Sequence, residues 1–170
     1  MEKAYEICLE MFEQRGYDII EKDDDQILAM KKNGKQICAF MANTPKFNVE
    51  RIQEYLSIMK QIDVWHAIIV YKDNATPVAK KVIEEANDII IELFQEEELQ
   101  YNTTKHYLVP KHELAHSKGT KGSKDFKEKY GDKFPVLLRT DPVARFYGYN
   151  KGDIIKITRK GDYVTYRFVK

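Results

Sequence analysis

The sign of the charge reverses partway along the sequence. Residues 1–104 contain 12 Lys and Arg against 20 Asp and Glu, a net charge of −8, whereas residues 105–170 contain 16 against 7, a net charge of +9. The hydrophobic pattern changes at the same place, from helices between short apolar runs to strands in which apolar and polar residues alternate. We therefore predict two modules, residues 1–102 and 103–170, that face different surroundings.

Neither the composition nor the start of the sequence is typical of a membrane or secreted protein. Hydrophobic residues make up 43% and charged residues 32%, which indicates a globular fold. No apolar run approaches the ~20 residues that span a bilayer, and Glu2, Glu6 and Glu10 stand where a signal peptide would be basic and then apolar. We therefore expect an intracellular protein with no membrane partner, in which Cys8 and Cys38 are buried thiols.

The first module begins with a helix and a hairpin. Residues 2–14 carry apolar side chains at helical spacing, and Gly16 suits the end of that helix. Asn33-Gly34 separates two segments, residues 26–32 and 36–42. Because Asn-Gly readily adopts positive φ angles, this pattern predicts a β-hairpin with a two-residue turn.

The rest of the first module alternates between helices and apolar runs. Residues 48–61 form a predicted helix with Asn48 at its N-cap, and Thr76-Pro77 has the sequence of another helix start. Two short apolar runs, residues 65–71 and 88–94, are predicted to be buried strands. Helices between such strands indicate a layered α/β module.

The second module contains a short helix and a closing hairpin. Asp141 as N-cap and Pro142 as first residue predict a helix over residues 141–149. Alternation over residues 153–159 and 163–169 predicts a second β-hairpin. Upstream we expect an extended piece at 107–110, a flexible basic loop at 117–124 and a helix at 123–130. The predicted class of the whole chain is α+β, with an α/β module followed by a small α+β module.

An α/β module with an early hairpin raises the possibility of a Mg²⁺-dependent nuclease. Such a site needs an acidic residue on one strand and a Glu-x-Lys pair on the next, to hold the metal and orient water. The aspartates at 23–25 offer the first acid, but residues 36–41 contain no carboxylate. We therefore expect no nuclease site, and we interpret the aspartate run as a solvated turn.

Two other features of the basic half are candidate binding sites. His106, His112 and His116 are close in sequence, but both cysteines lie far away, so we expect no metal or other cofactor. Residues 105–133 contain eight lysines and four acids. Such a segment can contact nucleic acid, contact an acidic partner or simply face solvent, so a free-standing nucleic-acid-binding protein stays an alternative.

The segment Asp141–Gly148, DPVARFYG, resembles the DPVA-x-(Y/F)-x-G motif of the fifth common subunit of eukaryotic RNA polymerases, a motif that the corresponding archaeal protein shares. The similarity continues through residues 151–159 and 163–167. Upstream, residues 106–112, HYLVPKH, resemble the family's HxLVPxH block. The three blocks occur in the family's order and cover most of residues 105–170.

The first module resembles the same family more loosely. Residues 74–80 are similar to the family's Thr-Pro turn before a helix, and residues 88–99 are similar to its last strand and exit. The resemblance implies a nuclease-like but inactive module that forms part of a jaw near downstream DNA. It also implies that the second module docks on the largest polymerase subunit.

The resemblance and the local chemistry together predict two sets of site residues, one that binds a protein partner and one that lies near DNA. Val143 and Phe146 are expected to face the core, with Arg145 and Tyr147 outward, and Tyr166 and Arg167 on opposite faces of the last strand. The expected partner-binding residues are His106, Pro110, His112, Asp141, Pro142, Val143, Arg145, Tyr147, Gly148, Tyr166 and Arg167. The expected DNA-proximal residues are Thr76, Pro77, Lys80 and Lys81, at a helix start that favours phosphate.

Several departures from the family pattern indicate a divergent member. The approach to the DPVA motif, residues 134–139, and the turn at residues 160–162 are shorter than usual, and residues 117–124 are rich in glycine and lysine. The resemblance predicts a non-catalytic subunit that acts in transcription, with other polymerase subunits as partners, weak contact with downstream DNA and no small-molecule substrate. The expected location is the nucleus for a cellular protein, or a viral factory or virion for a viral one.

Overall fold

The computed structural model describes residues 1–44, 46–86, 88–131 and 133–170. The chain divides into two compact units, residues 1–101 and residues 102–170. Each unit combines helices with a β-sheet, so the predicted α+β class is confirmed. Among the described residues, no helix has both the length and the apolar character needed to cross a membrane.

The first unit is built on a mixed five-stranded sheet with the spatial order β1-β2-β3-β5-β7. The pairs β1–β2 and β2–β3 are antiparallel, whereas β3–β5 and β5–β7 are parallel. The short strands β4 and β6 pair separately. The elements are α1 (Glu2–Gln14), β1 (Asp18–Lys22), β2 (Gln26–Met30), β3 (Gln36–Ala42), β4 (Lys46–Phe47), α2 (Val49–Gln61), β5 (His66–Tyr71), β6 (Asn74–Ala75), α3 (Pro77–Glu85) and β7 (Ile90–Gln95).

The core of the first unit lies on the two central strands of this sheet. Nearly every side chain of β3 and β5 is buried, on both faces, because both are flanked by other strands and covered by helices. On one face, Phe40 and Ile69 pack with Ile52 and Met59 of α2. Helix α2 begins where the sequence predicts, because the side chain of its N-cap residue Asn48 accepts a hydrogen bond from Arg51 N at 3.2 Å.

The first hairpin turn differs from the prediction, because its loop has three residues instead of two. Lys31 N donates to Lys35 O at 2.8 Å, and Gly34 N donates to Lys31 O at 2.8 Å. Only Gly34 adopts a positive φ, of +84°. Asn33 instead uses its side chain to accept a hydrogen bond from Lys35 N at 3.2 Å. A three-residue loop that ends with a glycine of positive φ is the most common hairpin connection after the two-residue turn.

The outer strands of the first sheet were predicted least well. The run at residues 88–94 forms β7, but as an edge strand with Ile90 60% exposed and Phe94 its only buried side chain. Strand β1 was not predicted, because all five of its side chains are exposed and leave no alternating pattern. Edge strands are defined by the strand beside them more than by their own sequence.

The second unit is a four-stranded sheet in the order β8-β10-β11-β9, with one helix packed on each face. Strand β10 pairs antiparallel with both β8 and β11, and β9 pairs in parallel with β11. Phe126 of α4 packs on one face and Ala144 of α5 on the other. The elements are β8 (Lys111–His116), α4 (Lys121–Tyr130), β9 (Val136–Leu137), α5 (Pro142–Tyr147), β10 (Ile154–Thr158) and β11 (Val164–Val169).

Two upstream segments of the second unit differ from the prediction. Residues 107–110 form a turn instead of an extended piece, since Val109 N donates to His106 O at 2.9 Å. Helix α4 begins inside the segment predicted as a basic loop, because the Thr120 side chain caps it by accepting from Ser123 N at 3.3 Å. Strand β8 was missed, since its sequence, KHELAH, is mostly polar.

A partly buried ion-pair network ties the C-terminal end of α1 to the sheet of the first unit. Arg15 donates two hydrogen bonds to the Glu92 carboxylate at 2.7 and 2.8 Å, and His66 Nε2 lies 2.7 Å from Glu92 Oε1. Desolvation opposes ionisation of Glu92. The hydrogen bond from His66 and the Arg15 guanidinium outweigh it and lower the pKa of Glu92 to about 2.

We propose that the two units are separate domains, which Glu92→Gln tests. The substitution removes the negative charge that pairs with Arg15 and should lower the free energy of unfolding of the first unit by about 3 kcal/mol. Trp65 is the only tryptophan, so its fluorescence in urea follows that unit alone. Circular dichroism should then show a second transition, from the second unit, that the variant leaves in place. One coincident transition that shifts as a whole would contradict separate domains.

The same variant has a defined pH dependence. A carboxyl whose pKa falls on folding adds stability above its unfolded pKa, near the usual 4.5, and loses it as the pH falls toward 2. The difference in stability between the natural protein and Glu92→Gln should therefore be constant near neutral pH and shrink below about pH 4.5.

Candidate protein-binding site

Helix α5 is a short helix with a strong cap at each end. Asp141 Oδ1 accepts hydrogen bonds from Val143 N at 2.9 Å and Ala144 N at 3.4 Å, and Pro142 occupies the first turn. Gly148 ends the helix at φ +66°, and its N–H donates to Arg145 O at 3.0 Å. A left-handed residue at this position is best supplied by glycine. The DPVARFYG sequence therefore specifies its own helix boundaries.

The side chains of α5 separate into a buried and a half-buried set. Val143 and Phe146 are buried, as is Ala144. Arg145 and Tyr147, expected to face outward, are both half-buried, and the Tyr147 ring stacks on Tyr149 at a centroid distance of 5.2 Å. The outward surface of α5 is therefore smaller than the sequence implied, and part of Arg145 and Tyr147 supports the fold itself.

The turn before β8 presents two apolar side chains to solvent. His106 Nδ1 accepts a hydrogen bond from Leu108 N at 3.3 Å, which adds to the backbone bond that closes the turn. Tyr107 is 77% exposed and Leu108 68% exposed. Neither residue is among the predicted partner-binding residues, although both lie inside the HYLVPKH block. The available signal was a pair of large apolar residues ahead of Pro110, in a segment too short to bury them.

Residues His112, Arg159 and Arg167 lie on the α5 side of the four-stranded sheet. His112 faces Ile157 across β8–β10, and Ile157 faces Thr165 across β10–β11. Because alternate residues of a strand share a face, Arg159 and Arg167 point the same way as this row. We call His112, Arg159 and Arg167 the cationic cluster.

The environment of His112 disfavours its charged form. Burial lowers the pKa of His112, as do the charges of Arg167 and Arg159, while the Pro110 carbonyl and Asp141 act in the opposite direction. The ring Nδ1 lies 2.7 Å from Pro110 O, so the neutral imidazole donates this hydrogen bond to the carbonyl. His112 is therefore oriented by the turn that precedes it.

The structure brings most of the predicted partner-binding residues into one region, with one exception. The 3₁₀ turn at Thr103–Lys105, next to His106, packs against α5, and Asp141 acts electrostatically on His112. Tyr166 lies on the other face of β11, where its ring packs 4.8 Å from Phe126 of α4. We define residues 106–112, α5 and the cationic cluster as the docking surface.

The predicted DNA-proximal residues form the start of α3 in the first unit. The Thr76 side chain accepts a hydrogen bond from Ala79 N at 3.2 Å, and Pro77 is the first helical residue. Lys80 and Lys81 are both exposed. Lys81 Nζ lies 3.7 Å from Glu85, a solvent-exposed pair that contributes little to stability.

The residues considered for metal or redox chemistry are far from forming a site. Asp23, Asp24 and Asp25 are exposed, whereas Cys38 and Phe40 of β3 are buried. No group of three or more His, Cys, Asp or Glu able to hold a metal occurs within residues 1–44, 46–86, 88–131 and 133–170. Burial raises the pKa of the Cys8 and Cys38 thiols to about 12, which keeps both unreactive.

Comparison with known proteins gives a consistent result. Residues 101–169 match the family described as RNA polymerase Rpb5, C-terminal domain. The chain is 34% identical over 187 residues to a protein named as DNA-directed RNA polymerase subunit 454R in Invertebrate iridescent virus 6, covering 99% of this chain and 98% of that protein. It is 41% identical over 142 residues to DNA-directed RNA polymerases I, II, and III subunit rpabc1 of Dictyostelium discoideum, covering 77% and 70%.

A third relative and one solved structure complete the comparison. The chain is 32% identical over 170 residues to DNA-directed RNA polymerase subunit 5-like protein 1 of Arabidopsis thaliana, covering 94% of this chain and 81% of that protein. The DNA-bound ATP-dependent Type ISP restriction-modification enzyme LlaBIII overlaps 85% of this chain and 12% of that chain, at a TM-score of 0.47 and 15% identity. That likeness is too remote to define a fold.

The family match and the relatives identify the chain as a subunit of a DNA-directed RNA polymerase. The chain belongs to the Rpb5 family. It therefore acts in transcription as one subunit of a multisubunit enzyme, with other polymerase subunits as its partners.

The Asp141 cap makes a prediction about stability. Asp141→Ala removes the acceptor for two backbone N–H groups and should lower the free energy of unfolding of the second unit by about 1 kcal/mol. Asp141→Ser keeps a capping oxygen and should lose only a few tenths of a kcal/mol. Urea unfolding followed by circular dichroism measures both variants. Equal stability of all three proteins would show that the cap does not hold α5.

Proposed function

We propose that this subunit docks on the largest polymerase subunit through the docking surface. One observation carries the proposal. The two sequence blocks that resemble the family's motifs lie on the same side of a single sheet. His106 and Pro110 shape the exposed turn, Asp141 and Gly148 fix α5 beside it, and the cationic cluster adjoins both. Tyr166, on the opposite face, is assigned to the fold instead of the partner.

The exposed turn has the chemistry of an interface anchor. Tyr107 and Leu108 together place a large apolar area in water, although the turn beneath them is held by two hydrogen bonds. A rigid backbone lowers the entropy lost on binding, and tyrosine is enriched among residues that dominate binding energy. A protein partner that covers these side chains gains free energy by removing them from water.

We further propose that the first unit forms part of a jaw near downstream DNA, with a nuclease-like topology and no activity of its own. Its mixed sheet, with α2 and α3 on one face, and the exposed lysines at the start of α3 support this proposal. The positive end of a helix dipole and nearby lysines attract phosphate without reading sequence. Because residues 1–104 carry a net charge of −8, we expect this contact to be weak outside the assembled polymerase.

The place of action follows from the polymerase to which the subunit belongs. The relatives come from eukaryotes and from an iridescent virus. We propose the nucleus for a cellular polymerase, and a viral factory or the virion for a viral one.

The docking proposal predicts a strong effect at the exposed turn. Tyr107→Ser combined with Leu108→Ser should weaken assembly with the largest subunit by about 100-fold, because each side chain contributes about 1.5 kcal/mol or more when buried. Co-purification of the tagged chain with co-expressed polymerase subunits measures the effect. Tyr130→Ser is the matched control, since Tyr130 is 56% exposed on α4, across the sheet from the docking surface. Equal loss in the control, or no loss in the double variant, would contradict docking at this turn.

The jaw proposal predicts a change in salt dependence. Lys80→Glu with Lys81→Glu should leave assembly intact and make the complex between polymerase and DNA dissociate at lower salt, because each lost phosphate contact weakens binding. Each lost contact should also reduce the magnitude of the salt slope by about 1. Lys32→Glu with Lys60→Glu makes the same charge change on exposed lysines elsewhere in the unit. Identical salt slopes for the two double variants would show that α3 does not touch DNA.

The proposed lack of activity can be tested on the purified subunit. We expect no Mg²⁺-dependent cleavage of DNA or RNA, because β3 presents Cys38 and Phe40 where a metal ligand and a lysine would stand. Cleavage that disappears in Asp24→Ala or Asp25→Ala would overturn this proposal and favour the nuclease alternative. Tight binding of DNA by the isolated chain, with a steep salt slope, would instead favour a free-standing binder.

A further inference from the structure

We infer that the cationic cluster receives an acidic side chain of the neighbouring polymerase subunit and so fixes the orientation in which the two subunits dock. The inference rests on the proposed docking and adds the chemistry of the partner. It concerns His112 of β8, Arg159, which directly follows β10, and Arg167 of β11. Side chains whose backbone is fixed by strand pairing are placed more exactly than lysines on a flexible loop.

The strand register places the three groups on one face. His112, Ile157 and Thr165 form a row across β8, β10 and β11. Arg159 lies two residues beyond Ile157, and its N–H donates to Tyr163 O at 2.9 Å, which continues the antiparallel pairing. Arg167 lies two residues beyond Thr165. Side chains two residues apart on a strand share a face, so the cluster is set by backbone pairing.

The balance of charge in this region favours the binding of a further carboxylate. The guanidinium groups of Arg159 and Arg167 and the carboxylate of Asp141 all act electrostatically on His112, and one Asp141 oxygen already accepts the capping bonds of α5. Arg167 is half-buried and Arg159 is exposed. When an interface covers both groups, an acid from the partner offsets the cost of removing their charges from water. The same acid would favour the charged form of His112, which its present surroundings oppose.

Arg167 is held in a way that suits bidentate binding. Its Nη1 donates to Val136 O at 3.3 Å, which anchors one edge of the guanidinium to β9. A guanidinium has five donors in a planar fork, so a carboxylate can accept two more in parallel. The bond to a neutral carbonyl positions the fork without neutralising it.

The surroundings favour a protein over nucleic acid as the source of the anion. Tyr107 and Leu108, exposed on the turn that leads to His112, would be buried in a protein interface. Surfaces that bind nucleic acid are strongly positive, whereas this site includes the Asp141 carboxylate. The cluster therefore fits an Asp or Glu side chain with apolar residues beside it.

The test is a competition between two copies of this chain for the same polymerase. The natural chain and a variant, carrying different tags, are co-expressed with the other polymerase subunits, and mass spectrometry gives the ratio incorporated. Arg159→Glu should be incorporated at least tenfold less than the natural chain, and Arg159→Lys should stay within about threefold of it, because charge is kept but the fork is lost. Lys124→Glu, the same charge change on α4, should compete equally. Urea unfolding of each variant checks that the second unit is folded.

The outcomes separate this inference from the docking proposal. Equal incorporation of Arg159→Glu and Lys124→Glu would overturn the inference while leaving docking intact. Normal incorporation of Arg159→Glu with weaker binding of the polymerase to DNA would assign the cluster to phosphate and also overturn it. Failure of the natural chain itself to incorporate would overturn the docking proposal, and the inference with it.

Discussion

The second unit depends on the pairing of β10 with both of its neighbours. Its backbone bonds to β8 and β11 set which side chains face α5 and which face α4. Because a shift of one residue moves every side chain to the other face, this register alone decides that His112 and Arg167 lie together and that Tyr166 lies apart. The two blocks that resemble the family's motifs, residues 106–112 and Asp141–Gly148, are separated by some thirty residues in sequence. They lie close together only because β10 pairs with both β8 and β11.

Local hydrogen bonds made several parts of the fold predictable from sequence. Asn48, Thr76 and Asp141 each cap the helix that the sequence assigned to them, because a capping side chain bonds to backbone two or three residues away. The second hairpin, β10–β11, follows from the alternation of apolar and polar residues along most of its two strands. These features depend on interactions between residues that are close in sequence, so a local sequence pattern is enough to predict them.

Other features depended on contacts that no local pattern contains. Strands β1 and β8 became strands because a neighbour pairs with them, and their own residues are mostly polar or exposed. The exposure of Tyr107 and Leu108 runs against the usual meaning of apolar residues, which normally indicate burial, and only the shortness of their segment points to it. Asp153 was also passed over. It is buried and accepts hydrogen bonds from Lys118 N and Asn150 N, so it joins two loops that are distant in sequence.

The central claim, that the docking surface faces the largest subunit, is tested most directly by cross-linking mass spectrometry of the assembled polymerase. Lys105 and Lys111 flank the exposed turn, whereas Lys121 and Lys124 lie on α4 across the sheet. The account predicts that Lys105 and Lys111 form cross-links to the largest subunit and that Lys121 and Lys124 do so far less often. Cross-links to the largest subunit that come mainly from α4 would contradict it.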